Sequence, residues 1–146
     1  MVVAAHGGSG ASTLARALRL PETTTPIHAG VLVVAARTTA DGAARVVELV
    51  GGLPEDQPVV LALTADGPLR PPAAVTGMRR LLTDRLAGVV VLPWQARWRH
   101  EHASSGTASR AWTARAVELD ELVRSLTHPR LCAAEPSARQ LQGAVQ

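Results

Sequence analysis

The 146-residue chain has no lysine, asparagine, phenylalanine or tyrosine, and only three tryptophans. Because large aromatic side chains are so few, aliphatic side chains must build the core. Because lysine is absent, every fixed positive side-chain charge is an arginine, and no ammonium side chain within the chain can neutralise a bound phosphate. Because asparagine is absent, the Asn-Lys-x-Asp motif that reads guanine in GTP-binding proteins is excluded.

Cysteine, long apolar runs and dense charge are also scarce. Cys132 is the single cysteine, so neither a disulfide nor a cysteine metal site can form within the chain. No run approaches the roughly 18 apolar residues of a membrane span, and nothing resembles a signal peptide, so we expect a cytoplasmic protein. The net charge of +3 is spread along the chain without a dense basic run, so the sequence gives no strong signal for a nucleic-acid partner.

Four short apolar runs alternate with stretches of helical character. The runs are continuously apolar, which is typical of strands buried on both faces of a sheet. They cover residues 2–5, 31–36, 59–63 and 89–92. The predicted helices cover residues 12–20, 40–50, 73–86 and 108–126. An apolar stripe along the last helix, from Trp112 to Leu126, should pack onto the sheet.

Alternation of strands and helices at this spacing predicts a mainly parallel sheet with right-handed crossovers. The expected fold is a small α/β domain of two or three layers with about four strands. We assign this domain to residues 1–128, and residues 129–146 to a C-terminal tail that is weakly structured or forms one short helix. Residues 21–30 are interpreted as a connector that contains no further strand.

A glycine-rich turn at residues 6–13 joins the first predicted strand to the first helix. Backbone N–H groups in such a turn converge on a phosphate, and the positive end of the helix adds to the attraction. The P-loop pattern is G-x-x-x-x-G-K-[ST], and here Ala11 stands in the position of the lysine. The residues predicted to bind phosphate or nucleotide are Gly7, Gly8, Ser9, Gly10, Ala11, Ser12 and Thr13, with Arg16, Arg37 and His6 as substitutes for the missing cation.

The competing interpretation of this turn is purely structural. The glycines would then allow a tight passage from strand to helix, with Ser12 or Thr13 capping the helix. In either case the loss of the lysine weighs against catalysis, because its ammonium group neutralises charge that builds on a phosphoryl group during transfer. We therefore do not expect an efficient enzyme.

A magnesium ion beside this turn would need oxygen ligands. Ser12 occupies the hydroxyl position of the pattern, and Asp66, which follows the third apolar run, is the sole candidate acid. Alternatively, Asp66 is an ordinary turn residue in an Asp-Gly-Pro sequence. We predict no other metal site, because His100 and His102 have no third ligand near them in the sequence.

The segment after the fourth apolar run is the second informative stretch. Pro93, Trp94, Arg97 and Trp98 leave that run at the rim where ligands of open α/β sheets bind. The tryptophans would stack on a base, or form an anchor for a protein partner together with the arginines. Alternatively, they fill the core beneath a loop, since the sequence has no other large aromatic residues.

A family resemblance is carried by four runs taken in order, VVAAHGGSGASTLARAL, VLVVAARTTADGAARVVELV, VVLALTADGPLRPP and VVVLPWQARWR. Together they resemble a family of small actinobacterial proteins that is similar to, and shorter than, the partitioning and division-site (MinD/ParA) ATPases. The resemblance covers residues 1–100 and part of the last helix. It implies ATP or another nucleotide with Mg²⁺ as the ligand, with Pro93 and Trp94 beside the base. It also implies a P-loop NTPase-like fold that is truncated, since both switch segments are missing. The implied role is an accessory one beside a secretion, conjugation or partition apparatus.

Three functional hypotheses follow. The leading one is a degenerate P-loop protein that binds a nucleotide or phosphate anion at residues 6–13 without efficient hydrolysis and acts as an accessory or regulatory factor. The second is a protein-interaction module that binds no nucleotide and contacts its partner through the rim at residues 94–100. The third is a weak ATPase that a partner or a second subunit completes in trans by supplying the missing cation.

Overall fold

A computed structural model describes residues 1–25, 30–99 and 108–128 of the chain. The strands in these ranges are β1 (Val2–Ala4), β2 (Glu22–Thr23), β3 (Leu32–Arg37), β4 (Val59–Thr64) and β5 (Leu86–Leu92). The helices are α1 (Ala11–Leu18), α2 (Ala40–Gly51), α3 (Ala73–Leu81) and α4 (Arg110–Thr127), and a 3-10 helix spans Ala96–Arg99. The α/β class predicted from the sequence is confirmed.

The strands form one parallel sheet in the order β2-β1-β3-β4-β5. Because all the strands run the same way, their carboxyl ends meet at one rim. Hydrogen bonds continue along this rim past the strand ends: the Ala5 amide donates to Ala35 O at 2.9 Å, and the Thr38 amide donates to Thr64 O at 3.0 Å. The glycine-rich turn after β1 therefore lies beside the ends of β3 and β4.

The sheet has one strand more than predicted, because β2 lies within residues 21–30, the segment interpreted as a connector. Glu22 and Thr23 pair with Val2 and Val3 of β1. The prediction of no further strand was wrong because β2 is two residues long, polar and at the sheet edge, so it has no apolar run to reveal it. This strand places Glu22 beside Val2 at the outer edge of the sheet.

The third helix is shorter than predicted. It ends at Leu81, and Leu86, which was assigned to that helix, begins β5. The Thr83 hydroxyl donates to Arg79 O at 2.9 Å, and Arg85 Nη2 donates to Leu53 O and to Pro54 O, both at 3.0 Å. These bonds hold residues 82–85 as a turn that carries the chain into the edge strand.

Helices cover both faces of the sheet, so the domain has three layers. Helices α1 and α4 pack on one face, over a core that includes Leu14, Val33 and Leu119. Helices α2 and α3 cover the other face, over a core that includes Val46 and Leu61. The two cores are almost entirely aliphatic, as the scarcity of aromatic residues required.

The apolar stripe predicted along the last helix is confirmed. Trp112, Ala116, Leu119 and Val123 of α4 are buried, and Leu122 and Leu126 are partly buried against the same core. Within the described ranges, no helix combines the length and apolar character needed to cross a bilayer. The predicted tail at residues 129–146, which includes Cys132, lies outside the described residues.

Candidate anion-binding cleft

Two glycines give the turn between β1 and α1 its shape. Gly8 has φ +73° and Gly10 has φ +88°, left-handed values that side-chain-bearing residues rarely adopt. Gly10 is the N-cap residue of α1, and no side chain caps the helix. The interpretation in which Ser12 or Thr13 caps α1 therefore does not describe this turn.

The missing cap leaves backbone donors free at the start of α1. The Ser9 amide donates to His6 O at 3.3 Å, and the Leu14 amide donates to Gly10 O at 3.0 Å. Between them, the amides of Ala11, Ser12 and Thr13 have no hydrogen-bond acceptor among the described residues. Such orphan N–H groups, together with the helix dipole, make the N-terminus of a helix attractive to anions.

The residues that carry these amides line a cleft of about 450 Å³ at the carboxyl rim of the sheet. A volume of this size lies within the range of small-molecule sites in proteins. Its lining joins the glycine-rich turn to residues from β2, β3, β4 and α4: Ala4, His6, Gly7, Gly8, Ser9, Gly10, Ala11, Ser12, Thr13, Leu14, Glu22, Arg37, Thr64, Trp98 and Trp112. The topology thus brings most of the predicted phosphate-binding residues to one concave surface.

Arg37 fastens the turn to the end of β3. Its Nε donates to Gly8 O at 2.7 Å, and its Nη1 donates to Asp66 Oδ1 at 2.7 Å. Its Nη2 makes no hydrogen bond within the described ranges and lies 4.0 Å from where a Cβ on Gly8 would be. One edge of the guanidinium is therefore available to a ligand in the cleft.

His6 adds a second fastening. Its Nε2 accepts the backbone N–H of Arg37 at 3.2 Å, and its Nδ1 lies 2.9 Å from Gly7 O. These two contacts hold the glycine-rich turn to the end of β3. His6 therefore orders the turn, and it lines the cleft together with Arg37.

Glu22 was not predicted as a site residue. Its Oε1 accepts the Ser12 hydroxyl at 3.0 Å, so a carboxylate faces the start of α1 across the cleft. Glu22 is 10 residues from Ser12 in the chain, so the contact between them could be predicted only by a reader who had recognised β2. A negative charge near a helix N-terminus is itself favourable, so Glu22 partly satisfies the end that would attract an anion.

Asp66, the candidate acid for magnesium, does not line the cleft. Its carboxylate binds Arg37, and its backbone N–H donates to Thr38 Oγ1 at 3.1 Å. The structure thus groups Asp66 with Arg37 and groups Ser12 with Glu22. Arg16, proposed as a substitute cation, is exposed in the last turn of α1 and is also outside the lining.

One of the rim tryptophans reaches the cleft. Trp98 is half-buried and packs edge-to-face on buried Trp112, with ring centroids 5.2 Å apart and planes at 69°. Pro93 and Trp94 are half-buried and do not line the cleft. The segment is held to α4 by Gln95, whose Nε2 donates to Ser109 Oγ at 2.9 Å.

The remaining predicted residues of this rim are not all described. The Arg97 side chain is outside the described part of the structure, and so are His100 and His102. Among the residues that are described, no group of three or more histidine, cysteine, aspartate or glutamate side chains is placed to hold a metal ion.

Comparison of the chain with protein-family models, curated proteins and solved structures found no match.

Proposed function

We propose that the cleft binds a phosphate-bearing ligand, a nucleotide or inorganic phosphate, and that the protein acts as an accessory or regulatory factor without efficient hydrolysis. The observation that carries this proposal is the uncapped N-terminus of α1. Ala11, Ser12 and Thr13, whose amides have no acceptor among the described residues, line the same cleft as Arg37, whose Nη2 makes no hydrogen bond within the described ranges. Backbone donors and a guanidinium edge together are a common way to hold phosphate oxygens.

The charge balance of the cleft favours binding over catalysis. Among the side chains that the structure describes, Arg37 is the one arginine that lines the cleft, and its charge is already shared with Asp66 at 2.7 Å. Phosphoryl transfer requires cations that follow the charge developing on the transferred group. A guanidinium fixed to a carboxylate and to Gly8 O is poorly suited to that task, so the bound phosphate should remain intact.

The cleft residues also fit a magnesium ion. Mg²⁺ prefers oxygen ligands and usually binds through one or two protein groups together with phosphate and water. Ser12 Oγ and Glu22 Oε1 are such ligands, are 3.0 Å apart, and both belong to the lining. A bound Mg²⁺ would neutralise phosphate charge and would remove the repulsion between Glu22 and the ligand. Glu22 thus takes the role that the sequence assigned to Asp66.

The first prediction is saturable stabilisation by phosphate ligands. In thermal-shift titrations with ATP, ADP, GTP and tripolyphosphate, each with and without MgCl₂, we expect Tm to rise with ligand. Ligand at 100 times its Kd should add about 2.7 kcal/mol to the free energy of unfolding. Quenching of tryptophan fluorescence by ATP and not by tripolyphosphate would place the base near Trp98. No stabilisation by any of these ligands at millimolar concentration contradicts the proposal.

The same samples separate binding from catalysis. We expect negligible phosphate release from ATP at every protein concentration. A specific activity that rises with protein concentration would instead support an ATPase completed in trans, because a second subunit would then supply the missing cation.

The second prediction concerns Glu22. Glu22→Gln removes the carboxylate charge and keeps the shape and an oxygen for the Ser12 hydroxyl. We expect tighter binding of phosphate ligands without magnesium and a smaller gain on adding it, because the repulsion and the strongest metal ligand are both lost. Isothermal titration calorimetry in EDTA and in MgCl₂ measures the affinity of the wild-type protein and of Glu22→Gln for the phosphate ligand under each condition.

A matched control for this experiment is Glu118→Gln on the exposed surface of α4, which gives the same change in net charge. It should leave both affinities and their ratio within about twofold of wild type, because screening weakens the field of a distant exposed charge. An equal magnesium effect in wild type and in Glu22→Gln would contradict the assignment of Glu22 as a metal ligand.

A further inference from the structure

Within residues 1–25, 30–99 and 108–128, the outer edge of β5 is an unused hydrogen-bonding surface. This strand pairs with β4 on one side, and no described strand pairs with its other side. Leu92 O accepts the Ala65 amide at 2.9 Å and therefore points inward. Because backbone groups alternate in direction along a strand, the N–H and C=O groups of Val89 and Val91 point outward. They are available to another extended chain.

This edge lacks the usual protection against pairing. Exposed edge strands commonly carry a proline or a charged side chain, whereas β5 reads LAGVVVL and has neither. The one irregularity is a register shift that passes over Ala87, near the start of the strand. From Gly88 to Leu92 the pairing with β4 is regular, and Val91 is 37% exposed. An open, apolar edge of this kind is favourable for strand addition.

A groove of about 350 Å³ runs beside the same edge, between β5 and α3. Leu86 and Val89 form its apolar floor, and its other lining residues belong to α3 and the turn that follows: Thr76, Arg79, Arg80 and Thr83. Among the residues that the structure describes, no carboxylate lines the groove and neither arginine joins an ion pair. The groove therefore offers an apolar surface beside two positive charges.

We propose that β5 is a docking site for an extended, acidic segment of a partner protein, which adds to the sheet as a further strand. The partner's backbone would pair with Val89 and Val91, its apolar side chains would cover Leu86 and Val89, and its carboxylates would face Arg79 and Arg80. Main-chain hydrogen bonds supply affinity in this mode, and the side chains along the strand supply specificity. The opposite charges of groove and partner select an acidic segment.

A second copy of the chain fits this edge less well. Two copies that pair antiparallel through β5 are related by a twofold axis perpendicular to the sheet. The faces covered by α2 and α3 in the two copies are then on the same side of the joined sheet, and the two α3 helices lie next to each other. Arg79 and Arg80 of both copies would then be on one face without carboxylates in the groove. Like charges brought together in this way disfavour association. The docking site lies on the α2/α3 face, opposite the α1/α4 core beside the phosphate cleft, and does not depend on the proposed nucleotide.

The test uses the full chain and labelled peptides of about nine residues, the length of a typical strand with flanks. Every second position of each peptide faces the groove. In the first peptide these positions carry valine and glutamate in turn, with threonine at the positions between them, and in the second peptide arginine replaces each glutamate. The third is the acidic peptide with N-methylated amides on its pairing edge. We expect the acidic peptide to bind at least about tenfold more tightly than the basic one by fluorescence anisotropy. We expect N-methylation to abolish binding, and hydrogen exchange at Val89 and Val91 to slow in the complex.

Two charge reversals test the groove. Arg80→Glu should weaken binding of the acidic peptide by about tenfold or more, because it turns an attraction into a repulsion. Arg110→Glu makes the same change in net charge at the exposed start of α4 and should leave the affinity within about twofold. Equal effects of the two reversals, equal binding of the acidic and basic peptides, or binding that survives N-methylation would each overturn the proposal. So would a concentration-dependent dimer in sedimentation experiments that Val91→Glu abolishes, since the occupant would then be a second copy.

Discussion

Replacing Gly42 by alanine should destabilise the protein by about 2–3 kcal/mol, the cost of overpacking a site that cannot relax. Gly42 is buried in the first turn of α2. A Cβ there would lie 2.4 Å from Arg37 O, 3.0 Å from Thr39 Oγ1 and 3.1 Å from His6 Nε2. None of these atoms is the free end of a flexible chain, so the methyl group has no low-cost position.

Each neighbour of Gly42 is held by a contact that the site uses. Thr39 Oγ1 accepts the Gly42 amide at 3.0 Å and caps α2. Arg37 pairs with Thr64 across β3 and β4. His6 Nε2 accepts the Arg37 amide. Moving α2 away would lose the cap, and moving His6 would release the glycine-rich turn. We therefore expect Gly42→Ala to weaken phosphate binding as well as folding.

Urea unfolding of the wild-type protein and of Gly42→Ala measures the loss of stability, and Gly77→Ala is the control. Gly77 is inside α3, and a Cβ there would meet nothing within 4 Å. The same substitution at Gly77 should therefore stabilise the protein by about 0.5–1 kcal/mol, because alanine loses less backbone entropy than glycine in a helix. If the two variants change the free energy of unfolding in the same direction, close packing is not the reason that position 42 requires a glycine.

The order of four strands and four helices could be predicted because each strand is a continuous apolar run followed by turn residues. Strand β2 could not, because hydrogen bonds to β1 define it and its own side chains do not. The end of α3 was also missed. Residues 82–85 continue the helical pattern, and it is the distant carbonyl groups bound by Arg85 that hold them as a turn.

The candidate site was predictable only as far as it is local in sequence. The glycine-rich turn, with its left-handed Gly8 and Gly10, is a local motif, and it lines the cleft as expected. The partners of its charged groups are not local. Arg37 and Asp66 are 29 residues apart, and their ion pair depends on the ends of β3 and β4 being adjacent in the sheet. Periodicity and spacing contain no information about such pairings.

Removing the charge of Arg37 and removing the charge of Asp66 should change the affinity for phosphate in opposite directions. Arg37→Gln removes a guanidinium that lines the cleft, and a hydrogen bond to a charged group is worth about 1.5–3 kcal/mol, so Kd should rise by about tenfold to a hundredfold. Asp66→Asn keeps an oxygen that can accept from Arg37 Nη1 but removes the competing negative charge. The guanidinium is then more available to the ligand, and Kd should fall severalfold. Calorimetric titrations with inorganic phosphate and with ATP measure both changes.

This pair of variants separates two roles of Arg37, because it binds Gly8 O as well as facing the cleft. If Arg37 only fastened the turn, weakening its contact with Asp66 would loosen the turn, and both variants would bind phosphate less tightly. If Arg37 contacts the ligand, the two effects have opposite signs. Arg16→Gln is the matched control on α1, since Arg16 is exposed and outside the lining, and it should change Kd by less than about twofold. A loss with Arg16→Gln as large as with Arg37→Gln would mean that general electrostatic attraction, and no specific guanidinium contact, draws phosphate to the helix.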